Sequence, residues 1–93
     1  VCATWPQPDG TPPPDPAPNA AAGSGPIVVI GTPRDPATPY EWAVGLAEQL
    51  EKGTLITYDG DGHTAYTRSN QCVDDAVDNW FIDGVVPAAD LRC

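Results

Sequence analysis

From Ile27 onward the chain switches between two hydrophobic periods. "PIVVIG" at 26–31 is a continuous apolar, β-branched run bounded by proline and glycine. A run this short, with no polar alternation, predicts a strand buried on both faces, as in a parallel sheet. "TPYEWAVGLAEQLEKG" changes the period. Ala43, Leu46, Ala47 and Leu50 recur at i, i+3, i+4 and i+7, the apolar stripe of a helix near 39–52. Its start carries capping signals: Thr38 as N-cap, Pro39 at the first helical position and Glu41 closing a T-x-x-E box. Gly53 is placed to end it in a left-handed turn. "TLITY" at 54–58 returns to strand composition, and "DGDGH" breaks it. A second helical pattern runs from Asn70 to Asp83, with Val73, Ala76, Val77, Trp80 and Phe81 on its buried side and Gly84 as its stop. "VVPAADLRC" reads as an irregular tail.

The order strand, helix, strand, helix predicts a parallel pair joined by a right-handed crossover. A two-stranded parallel sheet needs neighbours at its edges and layers on both faces. The expected architecture is therefore α/β: a C-terminal β-α-β-α portion of a larger doubly wound domain, occupying residues 27–93.

Composition separates off the beginning of the chain. Residues 1–26 are rich in proline, alanine and glycine, with few large apolar groups. Proline lacks an N–H and fixes φ, so this stretch reads as an extended linker or arm. The chain has no Met at its start and no signal-peptide pattern, so Val1 reads as a cut end. No apolar run approaches the roughly 20 residues that span a bilayer. Net charge is −9, and the four basic residues (Arg34, Lys52, Arg68, Arg92) form no cluster in sequence, which argues against nucleic acid as a partner.

The three cysteines, Cys2, Cys72 and Cys93, include no C-x-x-C pair, and His63 is the only histidine. A closed zinc site is not expected, nor is a cofactor. An oxidising compartment favours one disulfide and one leftover thiol, hence a secreted or cell-envelope origin. Cys72 begins the second helix, and the tail after Gly84 is long enough to return along it. Cys72 and Cys93 are the expected pair, leaving Cys2 free or paired upstream in a longer parent.

Candidate chemistry lies at the strand ends. Parallel strands end on one edge of the sheet, where active sites of open α/β sheets form. Asp35 follows the first strand and His63 the second, 28 residues apart. An aspartate accepting from a histidine Nδ1–H is the orienting half of a nucleophilic triad. The order Asp then His matches the last two members of the α/β-hydrolase order Ser, Asp, His. No G-x-S-x-G occurs: the only serines are Ser24, in "GSG" with no strand before it, and Ser69. The nucleophile is therefore expected upstream of Val1.

Plainer readings exist for each of these residues. Asp35 precedes Pro36, and Asp-Pro commonly starts a turn. A lone histidine is most often a solvated loop residue. Asp59 and Asp61 begin like a calcium loop, but its sixth and twelfth positions hold Thr64 and Asn70 instead of Gly and Glu, so no metal is expected. Tyr40, Trp42 and Trp80 read as packing residues. Arg34 reads as a solvated loop charge, with a substrate-carboxylate contact as the sharper alternative.

"PIVVIGTPRDPATPYEWAVGLAEQL", "LITYDGDGHTAY", "QCVDDAVDNWFIDGVVPA" and the closing cysteine together resemble the TAP-like C-terminal region of secreted bacterial α/β-hydrolases similar to tripeptidyl aminopeptidases. The resemblance covers 27–93, and "CATWP" also looks like that family. It implies that Asp35 is the triad acid and His63 the general base, that peptides are the substrates of the full-length parent, and that the nucleophile and oxyanion hole lie outside these residues. This chain alone is then expected to be inactive. Its open strand edge predicts self-association, unless the Pro-rich arm covers that edge. The alternative is a non-catalytic binding or scaffold module that keeps the same fold.

Overall fold

The computed structural model describes residues 19–93. Five elements follow in order: β1 (Ile27–Gly31), α1 (Tyr40–Gln49), β2 (Gly53–Thr57), α2 (Gln71–Asp83) and β3 (Leu91–Arg92). The sheet runs β1-β2-β3, and both pairings are parallel. Register places Val29 beside Leu55 and Ile30 beside Ile56.

Side chains alternate across a strand, so each strand serves both faces. Ile56, Val28 and Ile30 meet Val73 and Val77 of α2, with Ala65 closing the cluster. On the opposite face α1 packs on β1 and β2. The Tyr40 hydroxyl lies 2.8 Å from Thr57 Oγ1, and an added Cβ on Gly31 would come within 2.8 Å of Ala43 Cβ. The two helices thus cover opposite faces. Ile56 and Val73 are fully buried, each contributing about 1.5–3 kcal/mol through lost contact with water.

The tail departs from its expected irregularity. Leu91 and Arg92 add β3 to the free side of β2, and Cys93 N–H donates to the Thr57 carbonyl at 2.8 Å. Two tethers hold it: the expected Cys72–Cys93 disulfide, with Cα atoms 5.7 Å apart, and a 2.9 Å bond from Asn70 Nδ2 to the Cys93 carbonyl. A two-residue strand is too short to leave a periodic trace in sequence, and its position is set by these long-range links.

The helix ends also differ from expectation in one case and agree in the other. Thr38 does not cap α1; Pro39 occupies that position and no side chain caps the helix. The Thr38 hydroxyl is drawn to Asp35 instead. Gly53 is not a left-handed stop but the first residue of β2. Leu50, buried and extended, ends α1, and an added Cβ on Gly53 would collide with the Ala47 carbonyl. For α2, Asn70 Oδ1 accepts from Val73 N–H at 3.1 Å, and Gly84 closes the helix at φ 68°.

Phe81, expected on the buried side, is 70% exposed and leans on Trp80, with ring centroids 4.5 Å apart. At 100° per residue it sits about 80° round the helix from Val73, beyond the stripe that meets the sheet. Trp42 and Leu46 are exposed too, so Trp42 is not a packing residue within these elements.

Of the expected Pro-rich arm, residues 1–18 and with them Cys2 lie outside the described residues. Its described end is anchored: Glu51 N–H donates to the Ala20 carbonyl at 2.8 Å, and Asn19 N–H to Gln49 Oε1 at 3.3 Å.

Candidate active site

Asp35 and His63 meet at the C-terminal edge of the sheet. Asp35 Oδ2 lies 2.9 Å from His63 Nδ1, and Oδ1 lies 3.2 Å from the same nitrogen. The loop after β1 and the loop after β2 bring them together, as the parallel pairing requires.

Asp35 is held by its own loop. Its Oδ1 accepts from the backbone N–H groups of Ala37, at 2.8 Å, and Thr38, at 3.0 Å. Its Oδ2 accepts from the Thr38 hydroxyl at 2.8 Å. Accepting from N–H groups two and three residues ahead is the Asx-turn pattern, so the plain reading of Asp35 as a turn former holds alongside its contact with His63. Its side chain is only 6% exposed. The Thr38 N–H, chiefly, holds the carboxyl far below the usual aspartate range; burial opposes the shift, and the Ala37 N–H, His63 and the Thr38 hydroxyl add to it. The group facing the imidazole is an ionised carboxylate.

With Asp35 accepting at Nδ1, the proton of the neutral imidazole sits on Nδ1 and Nε2 keeps its lone pair. The ring is half exposed. His63 stands between Gly62 at φ 108° and Thr64 at φ 68°. Only glycine adopts the first of these readily, while the second is unusual for a β-branched residue and marks local strain beside the ring. A cleft of about 380 Å³ opens beside the pair, bordered by Thr38, Tyr40, Trp42, Thr64 and Tyr66.

The neighbouring charges pair with each other. Arg34 Nε lies 2.5 Å from Asp61 Oδ1, and its Nη1 lies 3.2 Å from Asp59 Oδ1. The two carboxylates that looked like the start of a calcium loop are thus engaged by a guanidinium. Among the described residues, no group of three or more His, Cys, Asp or Glu side chains is arranged around a metal position. Ser24 lies in the loop before β1, its hydroxyl bonded to the Gly25 carbonyl at 2.9 Å. The roles of Thr38 and Arg34 were missed from sequence. The D-P-A-T turn carried a usable signal for Thr38, since an Asx turn brings residue i+3 back onto the aspartate.

A parallel sheet covered by a helix on each face, with an acid after one strand and a histidine after the next, is the C-terminal portion of an α/β-hydrolase fold. The chain belongs to the TAP-like protein family of these hydrolases, whose family model matches residues 1–93. It is 53% identical over 93 residues to carboxylesterase B of Mycobacterium tuberculosis. It is 41% identical over 95 residues to serine protease Hip1 of the same species, and 37% over 95 residues to tripeptidyl aminopeptidase of Streptomyces lividans. These matches cover 99–100% of this chain but 17% of each relative's length.

Proposed function

We propose that this chain is the C-terminal segment of a longer extracytoplasmic serine hydrolase that acts as a peptidase, and that it supplies the acid and base of a Ser-Asp-His triad. The observation carrying this reading is the 2.9 Å contact between Asp35 Oδ2 and His63 Nδ1, at the strand-end edge and in α/β-hydrolase chain order. The serine comes from outside these residues. Its hydroxyl proton passes to His63 Nε2 as the oxygen attacks the substrate carbonyl, and His63 then returns that proton to the leaving group. Asp35 stays ionised, fixes the Nδ1–H tautomer and stabilises the imidazolium. Water repeats the sequence to release the acyl group.

The relatives named as a serine protease and a tripeptidyl aminopeptidase support a peptide substrate. The 53% identity to a protein named as a carboxylesterase favours, as a second reading, an ester. The triad chemistry is the same for both acyl groups. The Cys72–Cys93 disulfide supports an oxidising compartment.

The test is fluorophosphonate labelling of the full-length protein, its His63→Ala variant and the 93-residue chain, with turnover of matched peptide amides and esters. Labelling of the full-length protein alone is expected. Labelling of the 93-residue chain at Ser24 or Ser69 would place the nucleophile elsewhere. No labelling of any of the three would favour a scaffold module.

A further inference from the structure

We propose that Arg34 is a positioning residue that clasps the histidine loop to the aspartate loop and thereby sets the Asp35–His63 geometry. This role rests on the triad reading above.

The loop that delivers His63 is built to be loose. Residues 59–62 read "DGDG", and glycine loses more conformational freedom on ordering than any other residue. The imidazole must nonetheless stay within hydrogen-bond reach of a carboxylate fixed by a different loop. Among the described residues, every hydrogen bond made by 59–62 ends on Arg34. Arg34 Nε donates to Asp61 Oδ1 at 2.5 Å, Nη1 to Asp59 Oδ1 at 3.2 Å and Nη2 to the Asp59 carbonyl at 3.2 Å. The Gly62 N–H donates to the Arg34 carbonyl at 3.3 Å. Arg34 and Asp61 also form an isolated parallel bridge past the strand ends, one residue out of the β1–β2 register.

Arg34 immediately precedes the acid, and Asp61 lies two residues before the base. A planar guanidinium with a fork of donors fixes distance and angle together, which a single ammonium does not. The partners are open to water, with Arg34 54% and Asp61 84% exposed at the side chain. Exposed ion pairs add little to global stability. The clasp therefore acts on local geometry more than on folding, and that difference makes it testable. It also gives the guanidinium an occupant other than a substrate carboxylate.

The experiment uses the full-length protein with Arg34→Ala, Arg34→Lys, Asp61→Ala and the Arg34→Ala/Asp61→Ala double variant. A short-chain p-nitrophenyl ester is the substrate, and thermal melts are recorded alongside. Misplacing a catalytic group by about 1 Å can cost up to about a hundredfold. A loosened loop should cost less: Arg34→Ala is expected to lower kcat about tenfold, with KM and Tm nearly unchanged. Arg34→Lys should recover part of the loss. Asp61→Ala should fall in the same direction, and the double variant should be little worse than Arg34→Ala, because both residues act through one link. A raised KM with kcat preserved overturns the clasp in favour of a substrate contact. A lowered Tm, with kcat restored on cooling, overturns it in favour of a structural role. Full activity of Arg34→Ala beside an inactive His63→Ala overturns the clasp alone, whereas an active His63→Ala overturns the triad reading and this role with it.

Discussion

Asp35 and His63, 28 residues apart in sequence, share a 2.9 Å contact between Oδ2 and Nδ1. The carboxylate is nearly buried and the imidazole half exposed. That asymmetry suits the proposed roles of orienter and base: the carboxylate is fixed by its own turn, and the ring keeps half of its surface open.

The fixed carboxylate should leave a pH signature. Asp35 titrates far below its ordinary 3.8, chiefly through the Thr38 N–H. A depressed folded value stabilises the native state fully above the unfolded pKa, and the contribution is lost as pH falls through the folded one. Asp35→Asn should therefore be less stable than the parent at neutral pH. The gap should begin to narrow below about pH 4, where the unfolded carboxyl starts to take up protons. Denaturant midpoints of both proteins across the acid range check this, and a gap independent of pH would contradict it.

The Tyr40–Thr57 bond should matter to folding rather than to chemistry. Thr57 is 2% exposed, and the Tyr40 hydroxyl lies 2.8 Å from its Oγ1. Tyr40→Phe leaves a buried hydroxyl unpartnered and should cost about 1–3 kcal/mol. Adding Thr57→Val removes the orphan and should recover part of that loss. Chemical denaturation of the two single variants and the double variant measures the coupling.

The disulfide closes a loop with a sequence separation of 21 residues. Removing it with Cys72→Ala/Cys93→Ala should cost about 3 kcal/mol in the chain-entropy model. The loss should appear first at β3, as faster amide exchange at Cys93, whose N–H pairs with Thr57. Unchanged exchange there would show that Asn70 alone holds the tail.

The 93-residue chain on its own should associate. Among the described residues β1 is one of the two edge strands of the sheet, and Trp42 and Phe81 are exposed at 66% and 70%. An unpaired strand edge templates pairing with another chain. Sedimentation velocity at rising concentration should show the sedimentation coefficient increasing, and a concentration-independent monomer would contradict the prediction.

The sequence by itself determined β1, α1, β2 and α2 and the parallel direction of the two strands. "PIVVIG" and "TLITY" carried the strands because unbroken β-branched runs suit a sheet covered on both faces. Asn70 and Gly84 marked the ends of α2 because capping and left-handed stops are local chemistry. Asp35 and His63 were legible because a parallel crossover delivers both strand ends to one edge. The tertiary structure alone decided what depended on distant partners. Thr38 left its cap for Asp35, and Gly53 met the Ala47 carbonyl instead of turning left-handed. Leu91 and Arg92 became a strand because a disulfide and Asn70 carried them to β2. Arg34 joined Asp59 and Asp61 across 25 and 27 residues. A local pattern reports what a residue prefers; which long-range partner claims it depends on where the folded sheet places the loops.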